Sequence, residues 1–272
     1  MEEQIFKTDI VHDRENRVVK DNVLIQGLVK RRYELSVTEQ KALCFILSKI
    51  PSGEINHQKE GEITFDIRHF CEVCGISSTG GESYNRVKSA LERLSNNGFW
   101  IETPENTKLY FQWIVTPEII PDSGIVNITI PSKIMPYVSK LSEKFTSYQL
   151  FNILALKSTY SITLYELFRS WLYKGTFIID ISALREYLGI GAEKYSAFKE
   201  FKRAVLDKAI KEIEAYTDIR VKYRLIRQGR KYNSIEFTVS IVDSFEGAEA
   251  YRRAMAEING IKHDRGQINI FE

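Results

Sequence analysis

Apolar positions first become periodic after Leu35-Ser36, where Ala42, Leu43, Ile46, Leu47 and Ile50 recur at the spacing of one face of an α-helix. Ser36 is placed as its N-cap and Glu39, three residues on, completes a capping box. Pro51-Ser52-Gly53 ends it. Residues 1–22 are polar and without period, so they are expected to form a flexible arm, with order beginning near Leu24.

A unit then appears twice. Residues 63–76 read ITFDIRHFCEVCGI and residues 177–190 read FIIDISALREYLGI. In each, a short apolar strand runs into Asp-Ile, an apolar residue follows at Phe70 or Leu184, and Gly-Ile closes the segment. The pattern predicts that Asp66 and Asp180 cap short helices through their first free amides, and that Gly75 and Gly189 end those helices in the left-handed conformation.

The copies continue in parallel. Each is followed by a loop, a tyrosine (Tyr84, Tyr195) and a longer helical pattern: Val87, Leu91 and Leu94 up to Gly98 in the first, and Phe198, Phe201, Val205, Ala209, Ile213 and Tyr216 in the second. Strands are predicted at Phe99 to Ile101, Leu109 to Val115 and Ile125 to Ile130, and again at Val221 to Ile226 and Ile235 to Ile241. Tyr148 to Leu156 and Ile162 to Leu172 add two helical segments before the second unit. Each half therefore reads helix, strand, helix, helix, hairpin, which is a winged helix. The expected fold class is α+β, with tandem winged-helix domains related by internal duplication. Residues 23–135 form the first domain and 145–242 the second, joined around Pro131 to Lys144, and residues 243–272 are a tail.

Duplication of architecture leaves function open, since winged helices also serve as protein-interaction modules. Charge adds a direction. Over all 272 residues, 38 Lys+Arg against 36 Asp+Glu give only +2. Residues 1–142 hold 17 basic and 19 acidic side chains, residues 143–242 hold 17 and 11, and the last thirty hold 4 and 6. The positive charge sits in the second copy, and between Lys194 and Lys231 there are 12 basic residues and 5 acidic.

At about 100° per residue, Phe198, Phe201, Val205, Ala209 and Ile213 point inward on the long helix, and Ser196, Lys199, Arg203 and Asp207 fall on the opposite side. Lys199 and Arg203 lie one turn apart near the N-terminal end, where recognition helices meet base edges. Arg203, with its bidentate fork, is the first candidate for a guanine contact and Lys199 the second. Lys202 lies nearer the apolar stripe and reaches DNA only if that end of the helix projects beyond the core. On the next strand Arg220, Lys222 and Arg224 alternate with Val221, Tyr223 and Leu225, so all three cations share one face. The hairpin tip adds Arg227, Arg230 and Lys231. Such a wing would grip phosphates; taken alone, the strand is equally a solvated face.

The first copy offers Arg86, Lys88 and Arg93 beside Glu92, and its Leu109 to Val115 run is apolar on both faces. Two readings stand: a face covered by another domain or subunit, making this half a dimerisation domain with secondary DNA contacts, or a buried core strand.

The strings TSYQLFNILALKSTYSITLYELFRSWL, FIIDISALREYLGI and YSAFKEFKRAVLDKAIKEIEAYTDIRVKYRLIRQGRKYNSIEFTV, with YELSVTEQKALCFILSKI in the first half, resemble the iteron-binding plasmid replication initiators, or Rep proteins, over about residues 22–242. The resemblance implies that monomers bind repeated origin sequences to start replication, and that dimers bind an inverted operator and repress the protein's own gene. It also implies that the second domain makes the principal base contacts, here through Lys199, Lys202 and Arg203. The Lys157-Ser158-Thr159-Tyr160 turn matches the family's Leu-Lys-Ser-x-Tyr motif, so the hydroxyls of Ser158 and Tyr160 are implied phosphate ligands. Host replication factors are implied partners.

Other chemistry finds little support. Cys71 and Cys74, with His69 and Cys44, lack a second pair to complete a zinc site, and Cys74 falls one turn from Phe70 on the apolar side, so buried thiols and no metal are expected. The four histidines are isolated and no Gly-Lys-Ser/Thr phosphate loop occurs, so no enzymatic activity and no cofactor are expected. Three cysteines, short apolar runs and an acidic, polar start without a signal-peptide pattern lead to a cytoplasmic expectation. Residues 267–271, Gln-Ile-Asn-Ile-Phe, resemble the bacterial sliding-clamp-binding pentapeptide, with Gln267 at the rim and Ile270 and Phe271 as anchors; a tail strand packing on the protein itself is the alternative.

The reading is a replication initiator whose work is DNA binding. A dimeric winged-helix repressor without a replication role is the first alternative and a protein-interaction scaffold the second. Tandem repeats in a footprint would select the initiator and a lone palindrome the repressor.

Overall fold

The computed structural model describes residues 10–26, 30–31, 35–51, 61–76, 81–102, 107–120, 123–139, 144–229 and 231–260. A helical stretch over residues 10–15 leads into strand β1 (Arg17–Asp21) and a two-residue strand β2 (Lys30–Arg31). Helix α1 (Val37–Ser48), strand β3 (Gly61–Asp66), helices α2 (Ile67–Cys74) and α3 (Gly81–Asn96), and strands β4 (Phe99–Glu102), β5 (Lys108–Phe111), β6 (Val115–Ile119) and β7 (Ile125–Ile130) follow. The chain continues through β8 (Phe145–Gln149), α4 (Thr159–Trp171), β9 (Thr176–Asp180) and α5 (Ile181–Tyr187) to a long helix α6 over residues 198–216. Strands β10 (Ile219–Gln228) and β11 (Lys231–Ile241) form the wing, and helix α7 (Ser244–Ile258) closes the described chain.

The duplication is visible in the pairing. In the first copy the sheet order is β3-β7-β6 and in the second β9-β11-β10, so the strand entering each short helix lies beside the returning strand of each hairpin. A further sheet, β2-β4-β5, belongs to the first copy alone. It explains the expected strand from Leu109 to Val115, which is two pieces. Strand β5 ends at Phe111, Trp113 and Ile114 turn into the core, and β6 starts in another sheet at Val115. The run is apolar on both faces because the chain changes sheet halfway, with the Trp113 ring 4.3 Å from Phe99.

Ser36 and Glu39 make the capping box. Asp66 accepts from the amides of Arg68 (2.6 Å) and His69 (3.1 Å). Asp180 stands at the matching position of α5 but makes no cap; its carboxylate accepts from the Ser234 hydroxyl at 2.6 Å instead, because β11 lies alongside. Gly75 and Gly189 have φ of +64° and +66°. At Gly75 space is limiting as well, since a Cβ there would lie 2.1 Å from the carbonyl oxygen of Ile258. The end of α7 therefore rests on the end of α2.

Three expected segments are different in the structure, the first being Tyr148 to Leu156, which begins in strand β8 and is helical only over Phe151–Leu154. Residues 10–21 are packed, not a flexible arm. β1 pairs antiparallel with β8, from Arg17 opposite Gln149 to Asp21 opposite Phe145. Arg14, 4% exposed, donates to the carbonyls of Val73 (2.9 Å) and Glu72 (2.8 Å) and to Oδ1 of Asn259 (2.9 Å). The buried Lys20 reaches Glu166 of α4 at 2.5 Å. A polar residue need not lie on the surface when its donors find internal acceptors. Likewise, much of the expected tail is α7, capped by Asp243 through the amide of Glu246 at 2.8 Å, with Ala250, Ala254 and Ile258 buried. The ring of Tyr251 packs edge-on against Phe151 at 4.9 Å. One hydrophobic cluster runs from Val18 through both copies to Ile258.

Candidate nucleic-acid interface

Helices α5 and α6 with the turn between them make the helix-turn-helix of the second copy. Arg185 organises that turn: its guanidinium donates to the carbonyls of Tyr195 (2.8 Å), Lys194 (2.7 Å) and Gly191 (3.1 Å) and lies over the Phe201 ring at 5.4 Å. The three bonds hold Tyr195 at φ +54°, a left-handed conformation that a non-glycine residue adopts at a cost of about 1–2 kcal/mol. Lys194, in the turn, sits over the Tyr160 ring at 5.4 Å.

The long helix is not uniform. Phe198–Phe201 is α-helical, Lys202–Leu206 is a π-turn, and Asp207–Tyr216 is α-helical again. A π-turn fits one extra residue into the helix, so all that follows is rotated by about 100° from the uninterrupted pattern. That rotation explains the core. Val205 and Leu206 are both buried, and Phe201, Leu206, Ile210 and Ile213 form the inward stripe together with Ala209. It also brings Asp207 beside Lys202, so that the carboxylate is bound by Lys202 and Tyr223 and not by Arg203. Asp207 is turned toward the sheet, where it receives Lys202 at 2.8 Å and the Tyr223 hydroxyl at 2.5 Å. Burial opposes the Asp207 carboxylate, yet the bonds from Lys202 and Tyr223 outweigh it and leave its pKa below the usual 3.8. The bond to Asp207 raises the pKa of Lys202.

Lys199 and Arg203 are exposed at the beginning of α6. The tip of the wing reaches the same end of the helix. Arg227 lies over the Tyr232 ring at 4.7 Å and donates to its hydroxyl at 2.9 Å, and Tyr232 packs on Phe198, the neighbour of Lys199, at 5.6 Å. A register shift between Ile226 and Arg227 makes this possible, since it ends the strict alternation of β10 just before the tip. Beyond Ser234, β11 has left its pairing with β9, so the tip projects past the sheet.

The other cations of the strand are placed differently. Tyr223, whose hydroxyl meets Asp207, marks the face of the sheet that packs on α6. Arg220, Lys222 and Arg224 alternate with it and therefore share the opposite face, beside Thr238 and Ser240. Arg220 pairs with Glu246 at 2.9 Å, and Arg224 is bound by both oxygens of Glu236, the second bond being 2.9 Å. Lys222 is exposed. The three cations thus share the strand face opposite Tyr223, although Arg220 also reaches the carbonyl oxygen of Glu214, near the C-terminal end of α6, at 3.4 Å.

Ser158 caps α4 by accepting from the Tyr160 amide at 3.2 Å, and Tyr160 is half-buried under Lys194. In the first copy Arg86 and Lys88 are exposed on α3, with Glu92 3.9 Å from Lys88. Arg230, Gln267, Ile270 and Phe271 lie outside the described residues. Cys44, Cys71 and Cys74 are buried, and burial pushes the Cys44 thiol up to about 11. Among the described residues no cluster of three His, Cys, Asp or Glu side chains is placed to hold a metal ion, and no helix is long and apolar enough to cross a membrane. Arg185, Tyr223 and Tyr232, which hold the turn, Asp207 and the wing tip, are residues that spacing alone did not single out. Tyr232, directly after the basic tip, carried the only local signal, because an aromatic ring beside arginine invites a cation-π contact.

Comparison with known proteins agrees with this architecture. The model of the family described as Initiator Replication protein, WH1 matches residues 17–169, and that described as Initiator Rep protein, WH2 matches residues 180–239. The PI protein of Escherichia coli is 34% identical over 164 residues, 53% of this chain and 53% of the relative, so the match takes in about half the length of that protein. An uncharacterised 27.6 kDa protein of Escherichia coli is 28% identical over 226 residues, 79% of this chain and 91% of the relative. A solved structure described as Pi initiator protein in complex with iteron DNA has a TM-score of 0.66 at 24% identity, covering 85% of this chain and 99% of that one, which establishes a shared fold.

Proposed function

The chain belongs to the Initiator Replication protein family, and from that premise we propose that it is a plasmid replication initiator that binds repeated origin sequences, or iterons, as a monomer and acts through binding without enzymatic catalysis. The observation that carries the reading is the meeting of Lys199 and Arg203, exposed at the start of α6, with the wing tip through Arg227, Tyr232 and Phe198. A helix end entering the major groove and a hairpin tip on the flanking backbone form one continuous DNA surface. The family relationship and the iteron complex of the Pi initiator support the same assignment.

Arg203 and Lys199 read base edges, and Lys202, held by Asp207, is given no base contact. Arg227, Arg230 and Lys231 grip phosphates, and the hydroxyls of Ser158 and of Tyr160, whose ring lies under Lys194, are further phosphate ligands. Lys222, with Arg220 and Arg224 behind their carboxylate partners, forms an outer flank that DNA reaches only by wrapping around the wing. Arg86 and Lys88 supply secondary contacts from the first copy. Dimers formed through the first domain repress the protein's own gene. Host replication factors are recruited in the cytoplasm, the sliding clamp among them if Gln267, Ile270 and Phe271 dock on it.

Footprinting on the DNA flanking the gene tests this reading: protection of tandem direct repeats is expected, and protection of a lone palindrome would replace the initiator with a repressor. Lys199→Ala/Arg203→Ala is expected to lose at least about 1–3 kcal/mol of discrimination per base contact with the fold intact. Unchanged affinity would reject the interface. Arg227→Ala is expected instead to weaken binding to all sequences and to lower the slope of log affinity against log salt by about one.

A further inference from the structure

The π-turn of α6 has a consequence for Arg203. In an uninterrupted α-helix Asp207 would stand four residues after Arg203, the spacing at which aspartate and arginine pair along one face. A carboxylate there would occupy the guanidinium that is expected to read a base. The structure avoids this. The i→i+5 geometry of Lys202–Leu206 brings Asp207 beside Lys202, five residues back, which donates to its two oxygens at 2.8 and 3.1 Å, and the Tyr223 hydroxyl holds it from the sheet at 2.5 Å. Lys202 also lies over the Tyr223 ring at 5.7 Å, so the three side chains close on one another. Among the described residues Arg203 has no ion-pair partner.

We propose that Lys202 and Tyr223 are positioning residues for DNA reading: they bind Asp207 and so divert its carboxylate from Arg203, which keeps the Arg203 guanidinium available to a base. The inference rests on the DNA-binding reading above. Lys202 then acts through the helix, not through the DNA. The arrangement also accounts for an aspartate in the middle of a recognition helix, where its charge would otherwise repel phosphate.

The test uses the full chain and a duplex enriched by the wild-type protein from a pool of random duplexes, with a scrambled duplex as reference. Tyr223→Phe changes no charge and keeps the ring. It is expected to weaken binding to the enriched duplex about tenfold, the size of one lost bidentate base contact, with affinity for the scrambled duplex and the salt slope unchanged. Adding Asp207→Asn to Tyr223→Phe is expected to restore the enriched-duplex affinity, because the neutral amide no longer competes for Arg203. A merely structural role predicts the reverse, since removing a second member of the cluster would deepen the damage. Asp207→Asn alone, which does not depend on the tyrosine variant folding, is expected to keep wild-type discrimination, and Lys202→Gln to lose it at constant salt slope. Full discrimination in Tyr223→Phe, or a double variant as weak as the single, overturns the proposal. A wild-type protein that enriches no duplex overturns the DNA-binding reading itself.

Discussion

Replacing Arg14 by methionine removes one guanidinium from the junction of three segments while keeping most of its volume. The side chain is 4% exposed, and its donors meet the carbonyls of Glu72 and Val73, at the C-terminal end of α2, and Oδ1 of Asn259, just after α7. Glu72 would still receive the Gly75 amide at 3.3 Å. Val73 would lose its guanidinium donor, and an unsatisfied buried carbonyl costs about 1–3 kcal/mol. The bonds to Glu72 and Asn259 are charge-assisted, and such bonds contribute about 1.5–3 kcal/mol each before the burial of the cation is offset against them. Burial does act against the charged form, lowering the Arg14 pKa. The net expectation is a loss of about 2–4 kcal/mol, which for a protein of this size lowers the thermal midpoint by about 10 °C. Thermal unfolding of Arg14→Met against wild type gives the magnitude. Hydrogen exchange gives the location, with amides of residues 10–16 and of α7 expected to lose protection together. A midpoint within about 1 °C of wild type and unchanged exchange in α7 would refute the argument that residues 10–21 bind α2 to α7.

Three further outcomes are expected. Gly75→Ala should destabilise by well over the ~1–2 kcal/mol of a left-handed alanine, because its Cβ would meet the Ile258 carbonyl, whereas Gly229→Ala, at φ +63° with open space around it, should lose no more than that conformational amount; equal losses in urea unfolding would contradict the close packing of α7 on α2. Arg185→Ala should release the turn between α5 and α6, raising exchange at residues 191–195 and weakening specific DNA binding, and a variant with wild-type exchange there would remove Arg185 from the interface. Asp13 is held by His69 at 2.6 Å and Lys49 at 2.5 Å; burial opposes its charge, yet these bonds prevail and its pKa lies below 3.8. A depressed carboxylate pKa stabilises above the unfolded value and loses that contribution as pH falls through the folded one. The stability advantage of wild type over Asp13→Asn is therefore expected to be full above pH 3.8 and to shrink below it, and an advantage that does not change on acidification would contradict the pairing.

Local signals in the chain carried a large part of the architecture. The capping box at Ser36, the Asp66 cap, the left-handed Gly75 and Gly189 and the repeated strand-helix-helix-hairpin order are all short-range matters of backbone geometry, and adjacent residues decide them. The exposure of Lys199 and Arg203 was legible for the same reason, because helical period alone separates them from Phe198 and Phe201.

What the tertiary structure decided are the features whose partners lie far along the chain. Asp180 gave up its cap for Ser234, 54 residues on. Arg14 and Lys20 read as surface residues until Val73, Glu72, Asn259 and Glu166 supply acceptors for them. The alternation of Arg220, Lys222 and Arg224 showed that they share a face, but only the contact of Tyr223 with Asp207 shows that the other face packs on α6, and only the fold brings Arg220 to the Glu214 carbonyl near the end of that helix. The π-turn belongs to the same class. No spacing announces an extra residue in a helix, because the gain comes from packing Val205 and Leu206 together and from binding Asp207 to a tyrosine on the wing. Short-range sequence determined the repeated strand-helix-helix-hairpin units and their caps; the distant partners determined that residues 10–21 and 244–258 pack as β1 and α7 and where each charge points, because a buried charged group takes the orientation that satisfies its hydrogen bonds.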